Sequence, residues 1–291
     1  MTEILQTENN TETNLPVVKV EPERKRRHRT TKPHDDVYKE FPDLATLMNV
    51  SVEQLKDEFF LFQIRKLMGK MAKSVVRFDM SGKELLKAFS DAKALSLDEI
   101  LVAPIYLPTC EKQLAKVGKD GFKVGVIIGF PFGEDTFKGM FSTMKECVRM
   151  GVDEATVVMP NLLINNEMTK VLKRQTKKVG KAFKGKSGVA FNASDLSEDK
   201  LTFAVKIAQK TKIEFITLIF NSASQEEVEA KLRAVNKVKG DKKIFVFANV
   251  SSPEAIIALF KNQVDKILTP FADDIGKDLL KRFNVKSIKL D

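Results

Sequence analysis

The chain has 291 residues, of which 43% are hydrophobic, and a net charge of +10 from 49 basic and 39 acidic side chains. This length fits one large domain or two small ones, and the apolar content is ample for a sizeable core. No apolar stretch is long enough to predict a membrane span, and the polar, acidic start does not resemble a signal peptide, so we expect a cytoplasmic protein. The excess positive charge favours either anionic partners or a lysine-rich solvated surface.

Cysteine and histidine are scarce. Cys110 and Cys147 lie far apart and form no CxxC pair, which favours two buried reduced thiols over a disulfide or a redox site. His28 and His34 are the two histidines, and both precede the predicted core. The folded part therefore has no histidine for a Ser-His-Asp or Cys-His catalytic system or for a zinc site, and we expect neither a metal nor a cofactor.

Residues 1–40 are predicted to form a disordered arm, because they are rich in Thr, Asn, Glu and Pro and lack periodic apolar residues. The arm contains a basic run made of Arg24, Lys25, Arg26, Arg27, Arg29 and Lys32. Such a run can bind an anionic partner such as nucleic acid by charge alone, or it can remain a solvated tail without a specific partner. No aromatic residue interleaves it, which argues against stacking on bases.

Residues 41–73 are predicted to be helical. Asp43 can cap a first short helix, and Ser51 opens a Ser-x-x-Gln capping box for a second. Leu55, Phe59, Phe62 and Lys66 follow at helical spacing, with Phe60, Ile64, Leu67 and Met71 beside them, and predict a wide apolar stripe. We expect this stripe to pack against the domain that follows, and a partner-binding helix is the alternative.

Residues 74–291 alternate between strands and amphipathic helices. Several of the strands are nearly continuous apolar runs, as expected for parallel strands covered on both faces. Eight such units predict an α/β fold, a (β/α)8 TIM barrel. An open doubly wound sheet is the competitor, but residues 79–83 do not form the G-x-G-x-x-G turn that often follows its first strand. The predicted strands are 75–79, 99–103, 123–129, 154–159, 187–192, 213–219, 243–249 and 264–269.

Three motifs in order resemble the deoxyribose-phosphate aldolase family. Residues 100–108 (ILVAPIYLP) are similar to the family's second strand with its two prolines, and residues 129–133 (GFPFG) to its Phe-Pro-x-Gly loop. Residues 151–160 (GVDEATVVMP) are similar to its Gly-Ala-Asp-Glu strand. The resemblance covers about 60 residues closely and extends more weakly to about residue 270. The resemblance implies a class I aldolase barrel. The glycines and the proline of residues 129–133 either shape a tight turn or are remnants of a substrate loop.

The resemblance also implies which residues should carry the chemistry, and they are replaced. The family forms a Schiff base with a lysine on strand six, and that position here is Thr217. Its second lysine, on strand seven, corresponds to Ile244 or Phe247 depending on how the strand ends are matched. The aspartate of strand four is replaced by Thr156. The loops after strands seven and eight also lack the glycines that a phosphate site of backbone N–H groups needs, so we expect a degenerate, non-catalytic member.

Polar residues near the predicted strand ends could instead line a pocket for an uncharged ligand or could simply cap loops and helices. They are Asp79, Thr156, Asn192, Thr217, Asn221, Asn249, Ser251 and Thr269.

Three functions compete at this stage. The first is a pseudoenzyme with a binding, structural or assembly role, acting as a homo-oligomer or within a protein complex. The second is a working lyase on a sugar phosphate, with Lys138 as the nearest alternative amine. The third is association with nucleic acid or ribosomes through the basic arm.

Overall fold

The computed structural model describes residues 52–77, 79–117 and 121–283, and shows a closed barrel of eight parallel strands in sequential order. The predicted α/β class and TIM-barrel architecture are therefore confirmed. The strands are β1 Met71–Val75, β2 Glu99–Val102, β3 Lys123–Ile128, β4 Glu154–Val158, β5 Ser187–Asn192, β6 Phe215–Phe220, β7 Lys243–Ala248 and β8 Lys266–Thr269.

Ten α-helices lie in the described part of the chain, most of them between consecutive strands. They are α1 Val52–Met68, α2 Gly82–Ala94, α3 Leu107–Val117, α4 Phe137–Arg149, α5 Asn161–Asn165, α6 Thr169–Ala182, α7 Glu198–Ala208, α8 Gln225–Asn236, α9 Pro253–Lys261 and α10 Ala272–Arg282. Serine side chains cap α2, α7, α8 and α9 by accepting a backbone N–H from the first turn. None of these helices is long and apolar enough to cross a lipid bilayer.

Strand alternation divides the core into two parts. One set of side chains faces the helices and forms a large outer core. The other set fills the barrel axis, where the cluster consists of Ala72, Leu101, Ile127, Val158, Ala190, Phe215, Ile219, Phe245, Phe247 and Leu268. Because alternate residues of a strand point to opposite faces, membership of either core tells which way each side chain points.

The first strand begins earlier than predicted. We expected it at 75–79, but β1 is Met71–Val75 and pairs with β2 through Ala72 and Glu99. The two segments have the same number of apolar residues, so composition does not separate them. The barrel therefore starts three residues before the predicted boundary at 74, and Asp79 does not end the strand.

Helix α1 packs on the barrel through only part of the predicted stripe. The Phe60 ring stacks on Phe283 at 4.8 Å, and Ile64 and Met68 are buried. These residues are four apart and form one face of the helix. Phe62 is 61% exposed, so its assignment to the buried stripe was wrong. The predicted first helix at Asp43, the Ser51 cap and the basic arm lie outside the described residues.

Both cysteines are free and buried, as predicted. Burial raises the pKa of the Cys110 thiol to about 12 and that of Cys147 to about 11. Thiols with such high pKa values are poor nucleophiles at neutral pH, so neither cysteine has the character of a catalytic or redox residue.

Candidate functional site

Thr217 lies inside the barrel, at the position where the resemblance implies the Schiff-base lysine. Its neighbours Phe215 and Ile219 belong to the axial cluster, so Thr217 points inward with them. The side chain is fully buried, and its hydroxyl has no hydrogen-bond partner among the described residues. Thr156, two residues before the axial residue Val158 on β4, also points inward and is buried.

The mouth of the barrel, meaning its C-terminal end, is closed by apolar side chains. Phe130 packs over the axial cluster, and its ring centroid lies 4.7 Å from that of Phe247. Phe247 points inward whereas Ile244 belongs to the outer core, so Phe247 is the residue of β7 that faces the site. An aromatic ring thus stands at the position that the strand-end match assigns to the family's second lysine.

The loop after β3 supports this closure through its glycines. Gly133 has a φ of 69°, and a Cβ at this position would lie 2.8 Å from the Val158 carbonyl oxygen. The loop therefore turns tightly and lies directly against the end of β4. This geometry accounts for the Gly-Phe-Pro-Phe-Gly motif by packing.

The predicted pocket residues divide into two groups. Thr156, Thr217 and Asn192 are buried on neighbouring strands, and the Asn192 amide donates to Asp195 at 2.9 Å. By contrast, the Thr269 hydroxyl donates to the Val250 carbonyl at 2.8 Å, which connects the end of β8 to the loop after β7.

The remaining pocket candidates belong to loops. The backbone N–H of Asn221 donates to Ser194 at 2.8 Å, and the exposed Asp79 accepts two hydrogen bonds from Arg77. Asn249 is half-buried and Ser251 is exposed.

Two buried or nearly buried lysines lie behind the barrel wall near the mouth. Lys73 alternates with the inward Ala72, and its amine donates to the Pro270 carbonyl and forms an ion pair with Asp273. Lys231, on α8, donates to the Ala193 carbonyl at 2.7 Å and pairs with a carboxylate on its own helix. Both amines are held outside the axis on which Thr217 lies.

The end of β8 is poorly suited to a phosphate. Pro270 has no N–H, and the N–H of Phe271 donates to the Thr269 hydroxyl at 3.3 Å. The first turn of α10 then carries Asp273 and Asp274, whose charges oppose an anion at the helix N-terminus.

A buried ionic cluster closes the opposite, N-terminal end of the barrel, which we call the floor. The Lys266 amine lies 2.7 Å from Glu99, 2.8 Å from Asp98 and 3.1 Å from Glu154. Oxygen atoms of these three carboxylates lie within 4.8 Å of one another, an arrangement that could also hold a hard cation. The lysine ammonium supplies positive charge among them here, with Lys123 bound to Asp98 at 3.1 Å.

One glycine and two aromatic rings lie beside this ionic cluster. The Phe215 and Phe245 rings stack at 4.3 Å, and the Lys266 amine lies 4.9 Å from the Phe245 ring centroid. Gly125 leaves room for the Glu99 carboxylate, since a Cβ there would lie 1.6 Å from its oxygen. A cavity of about 270 Å³ opens beside the floor, and Phe215 and Phe245 are among its lining residues.

The ionic floor was not predicted, although a repeated sequence pattern marks it. The pairs Asp98-Glu99, Asp153-Glu154 and Asp265-Lys266 each begin an even-numbered strand. Asp153 and Asp265 accept the backbone N–H groups of Val124 and Ile244, at 3.0 and 2.8 Å, and so fix the start of the preceding strand. The residue after each aspartate points into the barrel floor.

Glu99 gives the floor a characteristic pH dependence. Burial raises its pKa from 4.5 to about 7, with Glu154 and Asp98 adding to the rise and Lys266 opposing it. A carboxyl with a raised folded-state pKa binds its proton more tightly when folded. It therefore contributes stability in full below about pH 4.5, and this contribution is lost as the pH rises through about 7.

We expect Glu99→Gln to remove this contribution. The stability of the wild type relative to Glu99→Gln should fall as the pH rises from about 4.5 to about 7. Urea unfolding of both proteins across this range measures the difference, in which the titration of groups common to both largely cancels. A difference that stays flat or grows with pH would contradict the assignment.

The comparisons with known proteins agree with this architecture. No protein-family model matches the chain. The chain is 25% identical to a deoxyribose-phosphate aldolase of Acholeplasma laidlawii over 143 residues. This match covers 49% of this chain and 63% of that protein, which is less than two thirds of the relative. The chain is 21% identical to the deoxyribose-phosphate aldolase of Dictyoglomus turgidum over 206 residues, 70% of this chain and 93% of the relative.

Solved structures show the same fold. An aldolase named QR15 superimposes with a TM-score of 0.67 at 20% identity, covering 76% of this chain and 99% of its own. A tetrameric deoxyribose-phosphate aldolase from Aeropyrum pernix superimposes with a TM-score of 0.59 at 13% sequence identity. The match covers 78% of this chain and 96% of that chain. The chain is thus similar in sequence, at low identity, to deoxyribose-phosphate aldolases, and it has the barrel fold of the solved structures.

Proposed function

We propose that the chain is a non-catalytic aldolase-like barrel whose role is to bind or assemble with other molecules. The observation that carries the proposal is the position of Thr217. A threonine hydroxyl cannot form an imine, and here it is buried below a mouth filled by apolar side chains such as Ile219 and Phe247.

The lysines near the barrel support the proposal. Lys73 and Lys231 are held by carbonyl oxygens and carboxylates outside the axis, and Lys266 lies at the opposite end from the site. Lys138, the alternative amine considered from the sequence, is exposed on α4. Two of these four amines are thus engaged behind the barrel wall, one is engaged at the floor, and one faces solvent.

A binding role is supported by the loops around the mouth. Ile105, Phe132, Leu162 and Met168 are large apolar residues that are 75%, 46%, 68% and 42% exposed. They follow β2, β3 and β4, which are neighbours in the barrel, so they lie along one side of the rim. Exposed apolar side chains gathered on one side of a protein favour an interaction surface.

Turnover of deoxyribose 5-phosphate tests the absence of catalysis. We expect the purified chain to release acetaldehyde no faster than buffer does, because none of the lysines described above lies beside Thr217. Release can be followed by coupling acetaldehyde to the oxidation of NADH. Turnover in the wild type that disappears in Lys73→Met or Lys231→Met, but not in Lys138→Met, would show that a wall lysine is catalytic and would overturn the proposal.

A further inference from the structure

The surface of α6 carries an unusually dense positive charge. Between Met168 and Ser194 the chain has no acidic residue, and eight basic residues lie in it. All eight are exposed: Lys170, Lys173, Arg174, Lys177, Lys178, Lys181, Lys184 and Lys186.

Six of these residues form one continuous stripe. Counted from Lys170, they occur at intervals of three, four, seven, eight and eleven residues, which places them on one face of the helix. The opposite face, with Leu172, Thr176, Val179 and Gly180, is buried against the barrel. The stripe is thus about 16 Å long at 1.5 Å per residue, and it is held rigidly by the packed face.

Within the described ranges, none of the six residues of the stripe forms an ion pair. Three of the acidic residues on neighbouring elements are paired with other cations. Glu167 pairs with Lys200, Glu214 with Lys243 and Glu146 with Arg149. Positive charges three and four residues apart repel each other and destabilise the helix, so an external anion would relieve this repulsion.

The adjoining turn extends the positive surface. A Cβ on Gly180 would lie 2.6 Å from backbone atoms of residues 212 and 213, so the turn before β6 lies directly against α6. This contact brings the backbone of the exposed Lys212 to the C-terminal half of the stripe. Lys206 and Lys210, on or just after the neighbouring α7, are also exposed.

We propose that this α6 stripe binds the phosphate backbone of a nucleic acid, without reading its sequence. A rigid row of unpaired cations matches a linear series of phosphates, and the stripe offers no aromatic side chain to stack on bases. A membrane surface is less suitable, because interfacial helices insert an apolar face and the apolar face of α6 is already buried in the protein. The inference is independent of whether the barrel is catalytic and of the basic arm.

The test uses the full-length chain and a fluorescein-labelled DNA duplex of mixed sequence, with binding followed by anisotropy as the salt concentration is varied. The stripe variant is Lys173→Gln with Lys177→Gln and Lys181→Gln. The matched control, Lys83→Gln with Lys87→Gln and Lys261→Gln, removes the same charge from exposed lysines on other helices. A third variant neutralises Lys25, Arg26 and Arg27, so that the contribution of the arm is measured separately.

We expect the stripe variant to bind about tenfold or more weakly near 0.1 M salt, and the slope of log affinity against log salt to fall by about two to three. The control variant should change the affinity and the salt slope far less. The loss of affinity in the stripe variant should persist when the arm is also neutralised. Three results would each overturn the proposal: no duplex binding by the wild type, equal losses in stripe and control variants, or loss only in the arm variant. Stripe-dependent binding to phosphatidylserine vesicles but not to the duplex would likewise overturn it and indicate a membrane partner.

Discussion

Replacing Lys266 with methionine is expected to lower the free energy of unfolding by about 3–5 kcal/mol, because it leaves the floor carboxylates without their buried counter-charge. Lys266 is 6% exposed and Glu99 is 1% exposed, so water cannot solvate the charges that remain. The loss should be smaller below about pH 5 than above pH 7, since protonation of Glu99 relieves the unpaired charge. Urea unfolding at the two pH values measures both effects.

Lys243→Met is the matched control for this variant. Lys243 begins β7 at the same end of the barrel, but it is exposed and pairs with Glu214 at 3.1 Å in solvent. Its removal should cost about 1 kcal/mol or less. Adding Glu99→Gln to Lys266→Met should restore part of the lost stability. Equal costs for Lys266→Met and Lys243→Met would show that the ionic floor does not stabilise the barrel.

Gly188→Ala is the second change with a large expected effect, at the upper end of about 1–3 kcal/mol. The new methyl group would lie 2.3 Å from two ring carbons of Phe215 and 2.8 Å from its carbonyl oxygen. The carbonyl is fixed because Gly188 and Phe215 are paired in adjacent strands, and the ring is stacked on Phe245. The strands must therefore separate or the rings must leave their positions.

Gly82→Ala tests whether this cost is specific to the barrel interior. A Cβ on Gly82, the first residue of α2, meets nothing within 4 Å, so the change should stay within about 0.5 kcal/mol. Combining Gly188→Ala with Phe215→Leu should recover stability relative to the sum of the single changes, because the smaller side chain makes room. Strictly additive losses would argue against a clash between these two residues.

The fold could be predicted because apolar strand runs alternate with amphipathic helices. Runs such as Phe215–Phe220 are buried on both faces and therefore show in the sequence. β1 was misplaced, and it contains the nearly buried Lys73, whose partners Asp273 and the Pro270 carbonyl lie far away in the sequence. Helix α1 showed apolar residues on several sides, and only packing against Phe283 selects the Phe60 face.

The candidate site was predictable in part. The match to the family motifs located Thr217 and Thr156 without a structure, and both prove to be buried inside the barrel. The interior cluster of Lys266, Glu99 and Glu154 was not foreseen, because a charged residue at the start of a strand usually faces solvent. Lys266 carries the opposite charge to the two glutamates. The three residues lie on strands distant in sequence, and only closure of the barrel brings them together.

Borohydride trapping tests the absence of an imine-forming amine most directly. The full-length chain is treated with deoxyribose 5-phosphate and sodium borohydride, digested, and mapped by mass spectrometry, with the urea-unfolded chain as the reference for non-specific labelling. We predict that no lysine of the folded chain is modified more than in the reference. Preferential reduction of an adduct on Lys73, Lys231 or any other single lysine would contradict the account and identify a working Schiff-base lyase.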